Sequence, residues 1–341
     1  MTGSVRSGRG RARVAGAMLV ATMVAMAACQ PLGEGDPAES GGGEAGASGG
    51  AAGTERLSIA TGGTGGVYFP LGGGLADLIT ENIDGYTATA EETNASVDNM
   101  NLIGSGESDI AFVLGDTASD AVAGTGEFEG AAIEACALGA LYTNFTQLVA
   151  SADSGITSVA DLEGMRVSLG EAGSGTEIIG LRVLEAAGID PDSGIDRAQL
   201  GVAETVDALR DGTLDAGFWS GGLPTGALVD YASTGDMVLV PTSEFAADLQ
   251  GSYGEYYLES EIPAGTYEGQ DEAVGVVGVP NVLVVSTSMD EALQEQLTAL
   301  LFEHKDDLVA VHPAAEELDQ EAAGDVPFMD VCPGSQTFYG S

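Results

Sequence analysis

Lysine is almost missing from this chain. Lys305 is the only one, and Lys and Arg together number 10 against 53 Asp and Glu, for a net charge of −43. Four of the ten (Arg6, Arg9, Arg11, Arg13) sit in the first 13 residues, leaving six for everything after. Nucleic-acid binding and docking on anionic lipid both need Lys and Arg clusters, so both are excluded. The acids read as a solvated coat. Histidine is equally scarce: His304 and His312 are the only two. Neither stands at a ligand spacing from a cysteine, so no metal site is expected. A Ser-His-Asp set would need one of them, and both lie in the C-terminal tail, far in sequence from the turns described below. No Gly-Lys-Ser/Thr ending marks a P-loop, and a dinucleotide fingerprint counted from Gly63 fails at Tyr68. "DPDSGID" (190–196) would need a bidentate glutamate at its twelfth position, where Gly201 stands, so it reads as a turn. No catalytic residue and no cofactor emerge.

What is present is enough apolar surface for real cores, 44% of 341 residues, and a length that suits two lobes. The first 14 residues are basic and the next 14, "AGAMLVATMVAMAA", are apolar but too short for a permanent membrane span. Ala27 and Ala28 directly precede Cys29. This resembles a bacterial lipoprotein signal (1–28), in which Cys29 is lipidated and anchors the protein to the outer face of the cell membrane; the other reading is an ordinary secretory signal with a spare cysteine. Residues 29–54 are rich in Gly, Ala, Ser and Glu without periodicity and read as a flexible tether. Cys136 and Cys332 then remain in an oxidising compartment, either as a disulfide or as two separate buried thiols.

Past the tether the pattern alternates. Strands are expected at 57–61, 86–92 and 110–116, with a helix from Tyr68 and another over 96–109 ending near Gly104. The order restarts with a strand at 164–170, a helix at 178–189 closed by Gly188, a helix at 204–214 and a strand at 215–221. Segments 139–151 and 279–288 read as crossings between lobes, and a long helix over 291–311 packs back on the first lobe. The expected fold is α/β: two lobes, each a mostly parallel sheet flanked by helices, joined by two crossing segments into a clamp. Lobe 1 takes residues 55–145 and 283–341, and lobe 2 takes 146–282. Ligands of such sheets sit outside the carboxyl ends of the strands.

Two Gly-rich turns occupy equivalent places there: "TGGTGG" (61–66) and "GEAGSGTE" (170–177). Each follows a strand and opens a helix, where unpaired N–H groups hold a carboxylate or phosphate without any lysine. Ser174 and Glu177 also match a capping box, so that turn serves a helix cap or a ligand. Arg166 and Arg182 are placed on the surface rather than against a ligand.

Four segments, "LSIATGGTGGVYFPLGGGLADLI", "NASVDNMNLIGSGESDIAFVLGD", "GMRVSLGEAGSGTEIIGLRVLEAAGI" and "LRDGTLDAGFWSGGLPTGAL", resemble the TAXI-type solute-binding proteins of tripartite ATP-independent periplasmic (TRAP) transporters. The resemblance runs from Leu57 to Tyr339. It implies a periplasmic-binding-protein-like clamp of type II that captures a small carboxylate, such as glutamate or 2-oxoglutarate, and delivers it to membrane permease subunits driven by an ion gradient. It places Thr61, Thr64, Gly65, Gly66, Tyr68, Ser96 and Asn99 at the cleft from the first lobe. From the second come Ser174, Gly175, Thr176, Trp219, Gly222 and Pro224. For Tyr68 and Trp219, core packing is the other reading. The family's C-terminal histidine is replaced here by Cys332, and a Cys136–Cys332 bond would staple the tail to the first lobe. An enzyme on the same clamp, or a surface lipoprotein that senses a solute, are the alternative functions.

Overall fold

The computed structural model describes residues 54–234 and 237–340, so the signal segment, Cys29 and the tether up to residue 53 lie outside the described residues. The first half runs β1 (Glu55–Ala60), α1 (Tyr68–Asn82), β2 (Tyr86–Glu91), α2 (Ser96–Ser105), β3 (Ile110–Leu114), α3 (Gly115–Ala123) and the long β4 (Ala135–Ser151). Next come β5 (Arg166–Ser168), α4 (Gly175–Ala186), β6 (Asp196–Ala198), α5 (Val202–Arg210), β7 (Ala216–Gly221), α6 (Gly226–Ala232), β8 (Met237–Val240), α7 (Ala246–Ser252) and β9 (Leu258–Ile262). The second long strand, β10 (Val274–Ser286), leads into α8 (Glu291–Glu303), α9 (Lys305–Val311), α10 (Gln320–Ala323) and α11 (Pro333–Tyr339).

The two long strands organise the sheet, whose order is β2-β1-β3-β10-β4-β7-β5-β6, with β8 beside β4 and β9 beside β10. β1 pairs in parallel with β2 and β3, and β5 with β6 and β7. β4 and β10 run antiparallel to each other between these two parallel sets. Along β4 the partner changes from β10 to β7 at Phe145; along β10 it changes from β9 to β3 between Gly278 and Asn281. The crossing segments are therefore paired strands, and the sheet is continuous where two separate ones were expected. The described residues fall within one unit, Gly50–Ser341.

Alternation along each strand sends side chains to opposite faces. Ile59, Phe112, Leu283 and Val285 meet α1, α8 and α9 on one face of the first lobe, while Ala60, Val113, Val282 and Val284 meet α2 and α3 on the other. In the second lobe Leu148, Val167 and Phe218 pack on α4, and Val149 packs on α5 and α6.

Several expected boundaries move. The third strand stops at Leu114 because α3 begins at once, with Asp116 in its first turn. Gly104 lies inside α2; the helix ends at Gly106, whose φ of +73° suits a residue without a Cβ. The helix after the second Gly-rich turn starts three residues early, at Gly175, because Ser174 caps it. The long C-terminal helix breaks at His304, whose Nδ1 lies 2.9 Å from Asp307 Oδ2. The break turns α9 so that Leu308 joins the core against α1.

Cys136 on β4 and Cys332 at the head of α11 are bonded across 196 residues, and both are buried. An unfolded chain loses loop entropy to such a link. Replacing both cysteines by alanine is expected to lower stability by about 2–4 kcal/mol, read as a lower urea midpoint, and reductant should reproduce the loss in the parent protein.

Candidate functional site

Three helices begin where the lobes meet: α1 at Tyr68, α2 at Ser96 and α4 at Gly175. Residues from all three openings line one cavity of ≈ 30 Å³. The first lobe supplies Gly62, Gly63, Gly66, Val67, Tyr68, Ala95, Ser96 and Leu114; β4 supplies Tyr142 and Asn144; the second lobe supplies Glu171, Ser174, Gly175, Thr176, Trp219, Ser220 and Gly221. The lobes are in contact across it. The Asp98 N–H donates to the Gly173 carbonyl at 3.2 Å. A Cβ on Gly66 would stand 2.9 Å from the Trp219 ring, and one on Gly175 would stand 2.8 Å from Ser96 Oγ. Glycine at these two positions is what lets the halves meet.

The cavity holds hydroxyls and an amide but no basic side chain. Each of the six described basic residues is engaged elsewhere. Arg56 donates to Thr89; Arg166 pairs with Asp215; Arg197 pairs with Glu177; Arg210 with Asp207; Lys305 donates to the carbonyls of Glu316 and Leu318. Arg182 is not on the surface, as the sequence suggested. Its side chain is 11% exposed and joins the lobes: Nη2 reaches Asp120 at 2.5 Å and Nη1 donates to Tyr257 Oη, which donates to Asp116. Burial raises the Asp116 pKa, and the Arg182 charge opposes that rise.

Positive potential must therefore come from the three helix openings and from O–H donors. Ser174 Oγ accepts the Glu177 N–H and Thr176 Oγ1 accepts the Ser220 N–H, so each hydroxyl still has its hydrogen to donate. Three further buried groups in the lining have no partner at all: Tyr142 Oη, Ser220 Oγ and Asn144 Oδ1. These residues are 4%, 5% and 2% exposed. A buried polar group without a partner costs on the order of 1–3 kcal/mol, so three around one cavity mark where a polar guest belongs. Burial pushes the Tyr142 phenol well above its ordinary pKa, which keeps it a donor.

Of the sequence-derived site residues, the structure brings Gly66, Tyr68, Ser96, Ser174, Gly175, Thr176 and Trp219 to this cavity. Tyr68 fits both readings, since it also packs 5.4 Å from Phe112 and donates to Asn281 Oδ1. The other six stand outside the lining. Asn99 is fully buried and spends its amide on the Thr61 and Phe112 carbonyls (2.7 and 2.8 Å), tying β1 to β3. Thr61 donates to the Glu91 carbonyl at 2.6 Å. Thr64 is exposed, and Gly65 faces Val202 and Ala203 across the lobe contact. Gly222 abuts the Tyr142 ring, and Pro224 follows a cis bond in the turn that places Thr225. Thr225 Oγ1 accepts the Trp219 Nε1–H at 3.0 Å and donates to the Gly222 carbonyl, which sets the indole against Gly66. Sequence reasoning missed Tyr142, Asn144, Glu171, Ser220 and Thr225.

Ala95 in the lining is the only non-glycine residue of positive φ among the described residues, at φ 71° and ψ −144°. Residues held there cost on the order of 1–3 kcal/mol. Ala95→Gly is expected to raise stability by about 1 kcal/mol in chemical denaturation. A second prediction concerns His312, beside the cavity wall. Its Nδ1 accepts the Ala314 N–H at 3.1 Å, and burial holds its pKa below the ordinary value despite a bond to the Pro224 carbonyl. The unfolded chain therefore takes up this proton first as pH falls. Stability should decline from about pH 6.5 downward, and His312→Gln should flatten that part of the stability–pH curve.

Comparison with known proteins places this geometry. PhnD1 from Prochlorococcus marinus, solved in complex with methylphosphonate, is 10% identical over 76% of this chain and 90% of its own, with a TM-score of 0.52. The alkanesulfonate-binding protein SsuA from Xanthomonas axonopodis pv. citri, bound to MOPS, is 17% identical over 76% of this chain and 82% of its own, with a TM-score of 0.42. The first likeness is one of fold: a central α/β sheet flanked by helices, in the type II periplasmic-binding-protein-like clamp. The family model that matches covers residues 59–340, and the chain belongs to the NMT1-like family.

Proposed function

We propose that this chain is the extracytoplasmic substrate-binding subunit of a transporter, which closes on a small carboxylate and passes it on unchanged. The observation that carries the reading is the set of unpartnered buried groups, Tyr142 Oη, Ser220 Oγ and Asn144 Oδ1, in a cavity between two touching lobes. Helix openings and hydroxyls suit a carboxylate where no basic side chain is available. Glutamate and 2-oxoglutarate are the candidate ligands that the sequence resemblance supports. The same resemblance supports a TRAP-type permease as the partner, with Cys29 as the lipid anchor that keeps the receptor near it. We read no covalent chemistry in the cavity, whose hydroxyls have no histidine in the lining.

Ligand-free protein should gain about 2.7 kcal/mol of stability with a carboxylate at 100 times its dissociation constant, read as a raised melting temperature. Trp219 is the sole tryptophan, so its emission should change on the same titration. Tyr142→Phe and Ser220→Ala are expected to weaken binding roughly fivefold each. Both variants should leave the ligand-free protein as stable as the parent or more so, because each removes a buried hydroxyl without a partner. A screen in which no carboxylate shifts either readout would remove the proposal. For the partner, uptake by vesicles holding the permease should follow a sodium gradient and ignore ATP.

A further inference from the structure

One group in the cavity has the wrong sign for an anion. Glu171 lies in the second Gly-rich turn, three residues before Ser174, whose N–H donates to the Glu171 carbonyl at 3.0 Å. Its carboxylate makes no ion pair and no side-chain hydrogen bond among the described residues, although each of the six basic residues has a partner. The head group extends across the lobe contact, so that a Cβ on Gly63 of the first lobe would be 3.3 Å from Oε1. On its other side it lies against Gly201, where any Cβ would occupy the space of the carboxylate. Glu92 and Glu204, both exposed, add negative charge at the same mouth, and burial together with these neighbours raises the Glu171 pKa. A half-buried carboxylate with no cation is costly to keep ionised. A cation brought beside it would offset that cost.

A divalent metal does not fit, since no three His, Cys, Asp or Glu side chains gather as a metal site among the described residues. An organic ammonium does. The lining then offers O–H donors from Tyr142, Ser220, Ser174 and Thr176 for a carboxylate, and the Glu171 carboxylate at the mouth for an ammonium. An α-amino acid carries a carboxylate and an ammonium on one carbon. A 2-oxo acid or simple dicarboxylate presents only negative charge and would set a carboxylate against Glu171.

We infer that Glu171 reads the ammonium group of the ligand, which makes this cleft a receptor for zwitterionic α-amino acids and rejects the matching 2-oxo acids. This rests on the carboxylate reading of the cleft. The unpartnered buried Tyr142, Ser220 and Asn144 in the same cavity mark a ligand independently of the acidic group.

The test is a set of matched pairs titrated into the ligand-stripped mature protein, followed by calorimetry and Trp219 emission: L-glutamate with 2-oxoglutarate, L-leucine with 4-methyl-2-oxopentanoate, L-alanine with pyruvate. In the pair that binds, the amino acid should be favoured at least about 100-fold, the loss expected when a buried charge faces its own sign. Glu171→Gln should shrink that ratio to tenfold or less by weakening the amino acid. A 2-oxo acid that binds as tightly as its amino acid, or a ratio that Glu171→Gln leaves intact, would overturn the inference and leave the carboxylate reading standing. No binding by either member of any pair would overturn both. Should Glu171→Gln fail to fold, the ratio in the parent protein decides alone.

Discussion

β4 and β10 pair along the first lobe as far as Phe145 and Gly278 and then take separate partners in the second, and the rest of the molecule depends on that pairing. Each strand serves one lobe with one half and the other lobe with the other half. Their shared stretch, around Thr143–Pro280 and Phe145–Gly278, is the place where rotation of one lobe against the other must be absorbed. It is also where the cavity floor lies. Tyr142 and Asn144 come from β4 just there, and Asn281 of β10 bonds both the Tyr68 hydroxyl and, at 3.0 Å, the Tyr142 carbonyl. The strands that join the lobes thus also present groups to whatever the lobes enclose, so closure and recognition are coupled through the same backbone.

Charge is the second constraint. Each of the six described cations is committed to a structural partner, and the most buried of them, Arg182, links α4 to α3 across the lobes with the two carboxylates and two tyrosine rings around it. The closed lobes are thereby held by an ion pair outside the cavity, and the cavity itself works with dipoles and hydroxyls. Such groups lose little by dehydration compared with a free ion, and they act over short range. The acidic coat cannot steer an anion inward, so what enters is selected at contact distance.

Much of the scaffold was legible in the sequence because it follows from local rules. Alternating strands, the helix from Tyr68, the Gly-rich turns at strand ends and the two crossing segments all express periodicity or backbone geometry. The site was legible only in part. Residues at helix openings, such as Ser96 and Ser174, were found because the opening itself has a sequence signature. Tyr142 and Asn144 were passed over because a crossing strand gives no sign of which residue faces the gap. Glu171 was hidden by abundance: among 53 acids nothing in the sequence distinguishes one that lines the cavity. Asn99 and Thr61 lie near the cleft in sequence but are consumed by carbonyls of neighbouring strands, a fact of three dimensions that spacing does not carry. The break at His304 had no proline or glycine to announce it.

The Cys136–Cys332 bond has a topological consequence. It closes a covalent ring that contains the whole of the second lobe, since both crossings lie between the two cysteines. A protease that cuts any loop between residues 137 and 331 opens the ring but releases no fragment. The chain can thus be nicked once in the second lobe and remain one molecule, its tail still stapled to the first-lobe sheet.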